Sequence, residues 1–117
     1  MGKLSTHVLD TLNGIPAQGI HIELYTHTGT QRQLVARAVS NAQGRCDEPL
    51  LQNEAFLAGQ YELVFHTAEY FRTHGATLPD PPFLDQVSIV FGVANPEQNY
   101  HVPLVVTPWS YSTYRGS

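Results

Sequence analysis

Groups able to do acid-base or carbonyl chemistry gather near the end of the chain. The run Tyr100-His101-Val102-Pro103-Leu104-Val105-Val106-Thr107-Pro108-Trp109-Ser110-Tyr111-Ser112-Thr113 leads straight into a polar, glycine-hinged tail, Tyr114-Arg115-Gly116-Ser117. An imidazole, hydroxyls and aromatic rings are the materials of a small-molecule pocket rather than of a plain edge strand, and a polar tail joined directly to an apolar strand reads as functional. Two residues from elsewhere add to this inventory. His7 stands in Leu4-Ser5-Thr6-His7-Val8-Leu9-Asp10, where alternation sends Leu4, Thr6 and Val8 to one face and Ser5, His7 and Leu9 to the other. Arg45 follows the Gln43-Gly44 turn, and its planar fork suits a substrate rich in carbonyls. A neutral imidazole can take a proton from attacking water near neutral pH, and a guanidinium can offset charge growing on the attacked oxygen. Taken singly, each histidine also fits a surface or locally bonded strand residue, and Arg45 fits a solvated arginine.

Other chemistries find less support. Six histidines invite a metal, but no pair has helical i, i+4 spacing or a recognised zinc spacing, so no metal site is expected. The single Cys46 excludes an intramolecular disulfide and a cysteine-built zinc site, fits a reducing compartment, and reads as a packing residue rather than a nucleophile. A net charge of −4, with six Lys plus Arg and no basic cluster, argues against nucleic acid or an anionic membrane as partner. Met1-Gly2-Lys3-Leu4 runs directly into patterned sequence, with no apolar stretch of signal-peptide or membrane-spanning length, and the expectation is a cytoplasmic protein.

The elements that must carry these groups are mostly strands. At 117 residues the chain has room for one core, read as a single domain over residues 1–117, and its light charging, 14% Asp, Glu, Lys and Arg, suits burial between subunits. Ile20, Ile22 and Leu24 alternate with His21, Glu23 and Tyr25, and Tyr61, Leu63 and Phe65 alternate with Glu62, Val64 and His66, predicting half-buried strands with a wet outer face. Asn13-Gly14-Ile15-Pro16, Gln43-Gly44 and Asn95-Pro96 are turn signals. Thr67 to Gly75 predicts one short helix, with Thr67 as its capping residue, Glu69 in the first turn, His74 in the last and Gly75 as terminator. Leu78-Pro79-Asp80-Pro81-Pro82 predicts a loop, because prolines cannot donate a continuous ladder. Val87, Ile89, Phe91 and Val93 mark one late strand, and Val102, Leu104 and Val106 another. Leu104-Val105-Val106 is apolar on both faces, so Val105 needs cover that a second subunit would supply.

Both ends of the chain, Leu4-Ser5-Thr6-His7-Val8-Leu9-Asp10 with Gly14 and Pro16-Ala17, then His101-Val102-Pro103-Leu104 and Ser110-Tyr111-Ser112-Thr113-Tyr114-Arg115-Gly116-Ser117, resemble the signatures of the 5-hydroxyisourate hydrolases, transthyretin-related enzymes of purine breakdown. The resemblance covers essentially the whole chain. It implies an all-β, transthyretin-like sandwich of two four-stranded sheets with one short helix, assembled as a homotetramer whose central channel holds paired active sites. It implies hydrolysis of 5-hydroxyisourate to 2-oxo-4-hydroxy-4-carboxy-5-ureidoimidazoline without metal or organic cofactor. Residue by residue, it gives catalytic places to His7, Arg45, His101 and Ser117, the last through its hydroxyl or terminal carboxylate, and substrate contacts to His7, Arg45 and Tyr114. Arg115 matches the motif with its role open, as does the choice of His7 or His101 as base. An unshifted imidazole base would make activity fall as pH drops through about 6 to 7. Val106-Thr107, Trp109 and the stretch from Leu78 to Phe83 depart from the pattern and bear on loop shape. The rival reading is a non-enzymatic carrier, because a fold alone does not set function.

Overall fold

The computed structural model describes residues 1–117. Alternating apolar residues make the strands β1 (Lys3–Asp10), β2 (Ile15–Pro16), β3 (His21–Thr28), β4 (Gln31–Val39), β5 (Leu51–Gln52) and β6 (Gly59–Phe65). The helix α1 (Thr67–Thr73) follows, and then β7 (Val87–Val93), β8 (Tyr100–Val106) and β9 (Tyr111–Thr113). One sheet runs β2-β1-β8-β9 with β5 also on β1; the other runs β4-β3-β6-β7. The two-residue strands β2 and β5 share one edge of β1, pairing at its Leu9-Asp10 end and its Lys3-Leu4 end, so this sheet is four strands wide. The expected pair of four-stranded sheets is therefore present.

Between the sheets the inward residues form one core. Leu4 and Val8 of β1, Ile22 and Leu24 of β3, Leu63 and Phe65 of β6 and Leu104 and Val106 of β8 are all buried there. Thr6 shares that inner face and satisfies its hydroxyl by donating to the Val102 carbonyl at 2.6 Å. On β6 the expected wet face is absent, since Glu62 and Val64 are buried as well as Tyr61, Leu63 and Phe65. The reason is position: β6 lies inside its sheet, and side chains from β3, β4 and β7 gather over Glu62. Glu62 accepts hydrogen bonds from His27 Nε2 at 2.7 Å and from Ser88 Oγ, and pairs with Arg32 at 3.3 Å. Bonding to Ser88, then His27 and Arg32, holds its carboxyl below the usual range.

The helix lies where predicted, but its start differs. His66 is the N-cap, and Thr67 is the first helical residue, its hydroxyl turned to the Asp85 carbonyl at 3.5 Å rather than to the helix's own amides. The end is as expected: Gly75, at φ 91°, bonds back to the Arg72 carbonyl at 3.1 Å while Ala76 bonds to that of Phe71 at 3.0 Å. Ala68, Tyr70 and Phe71 form its buried face. Tyr70 also ties the helix to the first sheet, because its hydroxyl donates to Asp10 Oδ2 at 2.8 Å. Asp10, 1% exposed, accepts from the backbone and side-chain nitrogens of Asn13 as well. No helix is long and apolar enough to cross a membrane.

Removing the Tyr70 hydroxyl would leave a buried carboxylate short of a donor, so Tyr70→Phe is expected to cost about 1–3 kcal/mol of stability. Chemical denaturation checks this as a lower midpoint at unchanged slope; an unmoved midpoint would show that the bond adds nothing.

Candidate active site

The face that carries the sequence-predicted groups is made by β1 and β8 lying side by side in parallel. Their register pairs Ser5 with His101, His7 with Pro103 and Leu9 with Val105. Leu4, Thr6, Val8 and Val102, Leu104, Val106 point into the core, so Ser5, His7, His101 and Val105 project from the opposite surface. This brings the two imidazoles to a centroid separation of 6.2 Å with ring planes tilted by 35°.

Arg45 arrives from the other sheet. After β4 the chain turns through Asn41 to Gly44 and returns antiparallel to β1, setting Arg45 opposite His7, with the Val8 amide bonded to the Gly44 carbonyl at 2.8 Å. Asn41 organises the turn: its Oδ1 accepts from the amides of Gln43 at 3.0 Å and Arg45 at 3.1 Å, and its own amide bonds the Arg45 carbonyl at 2.7 Å. Gly44 has φ 77°, and a Cβ there would stand 2.4 Å from the Val8 carbonyl oxygen, so this close approach requires glycine. Every other arginine has a protein partner for its guanidinium: Arg32 with Glu62, Arg37 with Glu23, Arg72 with the Pro79 carbonyl, Arg115 with Gln98. Arg45 alone has none and stands free beside the imidazoles.

The tail is stitched to β8. His101 and Gly116 exchange backbone hydrogen bonds of 3.2 and 2.7 Å, which places Ser117 next in line along that strand. Arg115, whose role was open, acts as a clamp: its guanidinium lies 4.1 Å from the Tyr100 ring centroid and donates to Gln98 Oε1 and the Asn99 carbonyl, each at 3.2 Å. Tyr114 goes elsewhere. Its ring lines a 270 Å³ groove with Ile89, Phe91, Val102 and Arg115, a groove that contains neither imidazole nor Arg45. Within one chain, then, His7, Arg45, His101 and the Gly116-Ser117 end converge, and Tyr114 does not join them.

Burial, then the Arg45 charge, lowers the pKa of His7, with the backbone carbonyl of Gln43 acting in the opposite sense by favouring a ring proton. His101 is lowered by burial, by Arg45 and by His7. Both rings are therefore neutral at pH 7 and stay so below the ordinary value of 6.5, displacing downward the acid limb expected from an unshifted imidazole. Burial and Asp47 push the Cys46 thiol up, in keeping with a packing residue. The largest cavity, 460 Å³, is on the outer face of the second sheet among His21, Glu23, Arg37, His66 and Glu69. Its polar groups are already paired, His66 with Glu23 at 3.2 Å and His21 with Glu69 at 3.7 Å, whereas on the β1–β8 face Arg45 has no partner. Chemical character, not volume, marks the candidate site.

Sequence reasoning missed Ser5, Asn41 and the Gln43 carbonyl. Alternation does put Ser5 on the His7 face, but its partner His101 is 96 residues away; Asn41 shows only as one more polar residue before a glycine turn.

Two packed sheets with one short helix, and an outer face bearing two neutral imidazoles beside a free guanidinium, define a transthyretin-type sandwich equipped with polar reactive groups. The chain belongs to the HIUase/Transthyretin family, whose model matches residues 4–116. It is 54% identical to a 5-hydroxyisourate hydrolase of Pseudomonas aeruginosa over all of this chain and 93% of that one. An (S)-allantoin synthase crystal structure superposes with TM-score 0.94 at 45% identity, covering 99% of this chain, which spans only 44% of that longer one. Sea bream transthyretin in complex with thyroxine superposes with TM-score 0.87 at 27% identity over 97% of this chain and 94% of that one.

Replacing Arg45 with Gln removes one of the causes that depress both imidazoles, so the midpoints of His7 and His101 should both rise in an NMR pH titration. Midpoints that stay put would mean that neither ring feels the guanidinium. Because the folded midpoints lie below the unfolded one, the unfolded chain binds more protons as pH falls through about 6.5, and stability should decline with acidification across that range.

Proposed function

We infer that this chain hydrolyses 5-hydroxyisourate, opening a cyclic acyl–nitrogen bond to yield 2-oxo-4-hydroxy-4-carboxy-5-ureidoimidazoline. The observation that carries this reading is the meeting of His7, Arg45 and His101 on one face, in a chain 54% identical along its whole length to a 5-hydroxyisourate hydrolase. A water molecule attacking a ring carbonyl must lose a proton, and a neutral imidazole on this face accepts it. Arg45, free of any internal partner, binds the ring carbonyls and offsets charge on the attacked oxygen. Ser117, held beside His101 by the Gly116 bridge, orients water or substrate.

The same reading makes the active form a homotetramer. In a single chain the imidazole face is open, and no cavity encloses both rings, yet electrostatic stabilisation of this kind is strongest where water is excluded. Leu9, Pro103 and Val105 share the face, and Ile15 at 44% and Trp109 at 56% exposure are large apolar groups left without cover. A facing copy buries them, closes the site and brings Tyr114 of another chain within reach of substrate. A reducing, cytoplasmic setting suits the lone thiol of Cys46. The carrier reading draws on the thyroxine complex of transthyretin, but that likeness is 27% identity against 54%, and polar groups rather than a purely apolar lining occupy this face.

Alanine at His7, Arg45 or His101 should leave a folded assembly and lower turnover by about 10²–10⁴-fold. The measurement is the ultraviolet decay of freshly generated 5-hydroxyisourate with catalytic amounts of protein. Wild-type rates in these variants would refute the assignment, and stoichiometric binding without acceleration would favour the carrier. Deleting Tyr114 to Ser117 should impair turnover far more than thermal stability, because β8 and β9 stay intact; an unimpaired truncation would show that the tail takes no part.

A further inference from the structure

Both imidazoles are neutral near pH 7, and a neutral imidazole holds one proton on one of two nitrogens. Which nitrogen carries it decides whether the ring gives or takes a hydrogen bond toward a substrate. The two rings have different neighbours. The Gln43 backbone beside His7 favours a ring proton without fixing which nitrogen carries it. His101 faces a hydroxyl: Ser5 Oγ is 2.8 Å from its Nδ1, at a half-buried position where the parallel register sets the two residues directly abreast.

We propose that Ser5 is a positioning residue of this site: its hydroxyl donates to His101 Nδ1, which places the ring proton on Nε2 and makes His101 a hydrogen-bond donor toward the substrate. The direction of the Ser5 bond follows from counting partners. A serine has one O–H, and Ser5 Oγ makes no other hydrogen bond within the protein. Donating to Nδ1 satisfies both groups together, whereas accepting from an Nδ1–H would leave the half-buried hydroxyl proton without a protein acceptor. Thr6, one residue along, has a hydroxyl of the same chemistry spent on the Val102 carbonyl in the core, a purely structural bond at 2.6 Å.

The consequence, which rests on the hydrolase reading, is a division of labour. With Nδ1 of His101 engaged by Ser5 and Nε2 carrying its proton, the lone pair left for water is on His7. As the water oxygen bonds to the carbonyl carbon, its proton passes to His7, while His101 Nε2–H donates a hydrogen bond to the attacked oxygen and keeps its proton. As the C–N bond breaks, its electron pair stays on the leaving nitrogen, which takes the proton that His7 has gained, and both rings end neutral. The Ser5 bond, made to one of two otherwise similar histidines, thus assigns their roles before substrate arrives.

Nitrogen-15 NMR of histidine-labelled wild-type protein reads the tautomer directly, without any substitution. His101 is expected with Nε2 protonated and Nδ1 bare; a dominant Nδ1–H form would overturn the proposal. Ser5→Ala should mix the two tautomers and lower kcat about 2- to 10-fold with little change in KM, and Ser5→Thr should restore both. Thr6→Ala, by contrast, should lower stability and leave the His101 tautomer alone. An unchanged tautomer in Ser5→Ala, or mixed tautomers with undiminished kcat, would each sink the positioning role. Wild-type protein that pins the tautomer but fails to accelerate 5-hydroxyisourate decay would instead overturn the hydrolase reading alone.

Discussion

The parallel pairing of β1 with β8 is the constraint on which the rest depends. It joins the first long strand to the last across more than ninety residues of chain, and it is the one parallel pairing in an otherwise antiparallel sandwich. Because side chains alternate along a strand, a slip of one residue on either side would turn that strand's polar groups into the core and its core residues out to water. Burial of Leu4, Val8, Leu104 and Val106 therefore does more than stabilise the fold. It specifies the register that sets Ser5 abreast of His101 and brings two imidazoles within one ring's width of each other.

Around that pairing, backbone bridges deliver what the strands lack. The Asn41–Arg45 turn lays a cation against β1, and the Gly116 bridge lays the tail against β8. The first relies on a glycine at close approach, Gly44 against the Val8 carbonyl; at Gly116 a Cβ would meet the His101 side chain at 3.2 Å, a tight but smaller demand. The Arg45 charge then has two effects of the same sign: it disfavours protonation of both histidines, keeping the rings neutral, and, free of an internal partner, it can stabilise negative charge on an oxygen brought to this face. A guanidinium paired with a carboxylate, as Arg32 is with Glu62, would do neither.

The two outer sheet faces solve the problem of exposed polar groups in opposite ways. On the β3–β6–β7 face, Glu62, His27, Arg32 and Ser88 satisfy one another, as do Glu23 and His66, so that cavity-bearing surface is chemically quiet. On the β1–β8 face Arg45 has no internal partner, Val105 is half-buried without cover, and the site lies open. The first arrangement is complete in a single chain; the second leaves a cation and apolar side chains without internal partners.

Much of this was readable from the residues. Period-two alternation located the long strands and their inner faces, Gly75 ended the helix, and alternation put His7 and Ser5 on one side, because these are local consequences of backbone geometry. Where a distant group intervened, local reading failed: Asp85 drew the Thr67 hydroxyl away from capping, flanking strands buried Glu62 and Val64, and Tyr100 with Gln98 made Arg115 a clamp. The candidate site belongs to the same category. Its residue types and their sides of each strand follow from the sequence alone; which of them meet, which ring faces a hydroxyl, and that Tyr114 turns away, were decided only when strands from opposite ends of the chain came together, since hydrogen-bond direction and charge act through space and not along the chain.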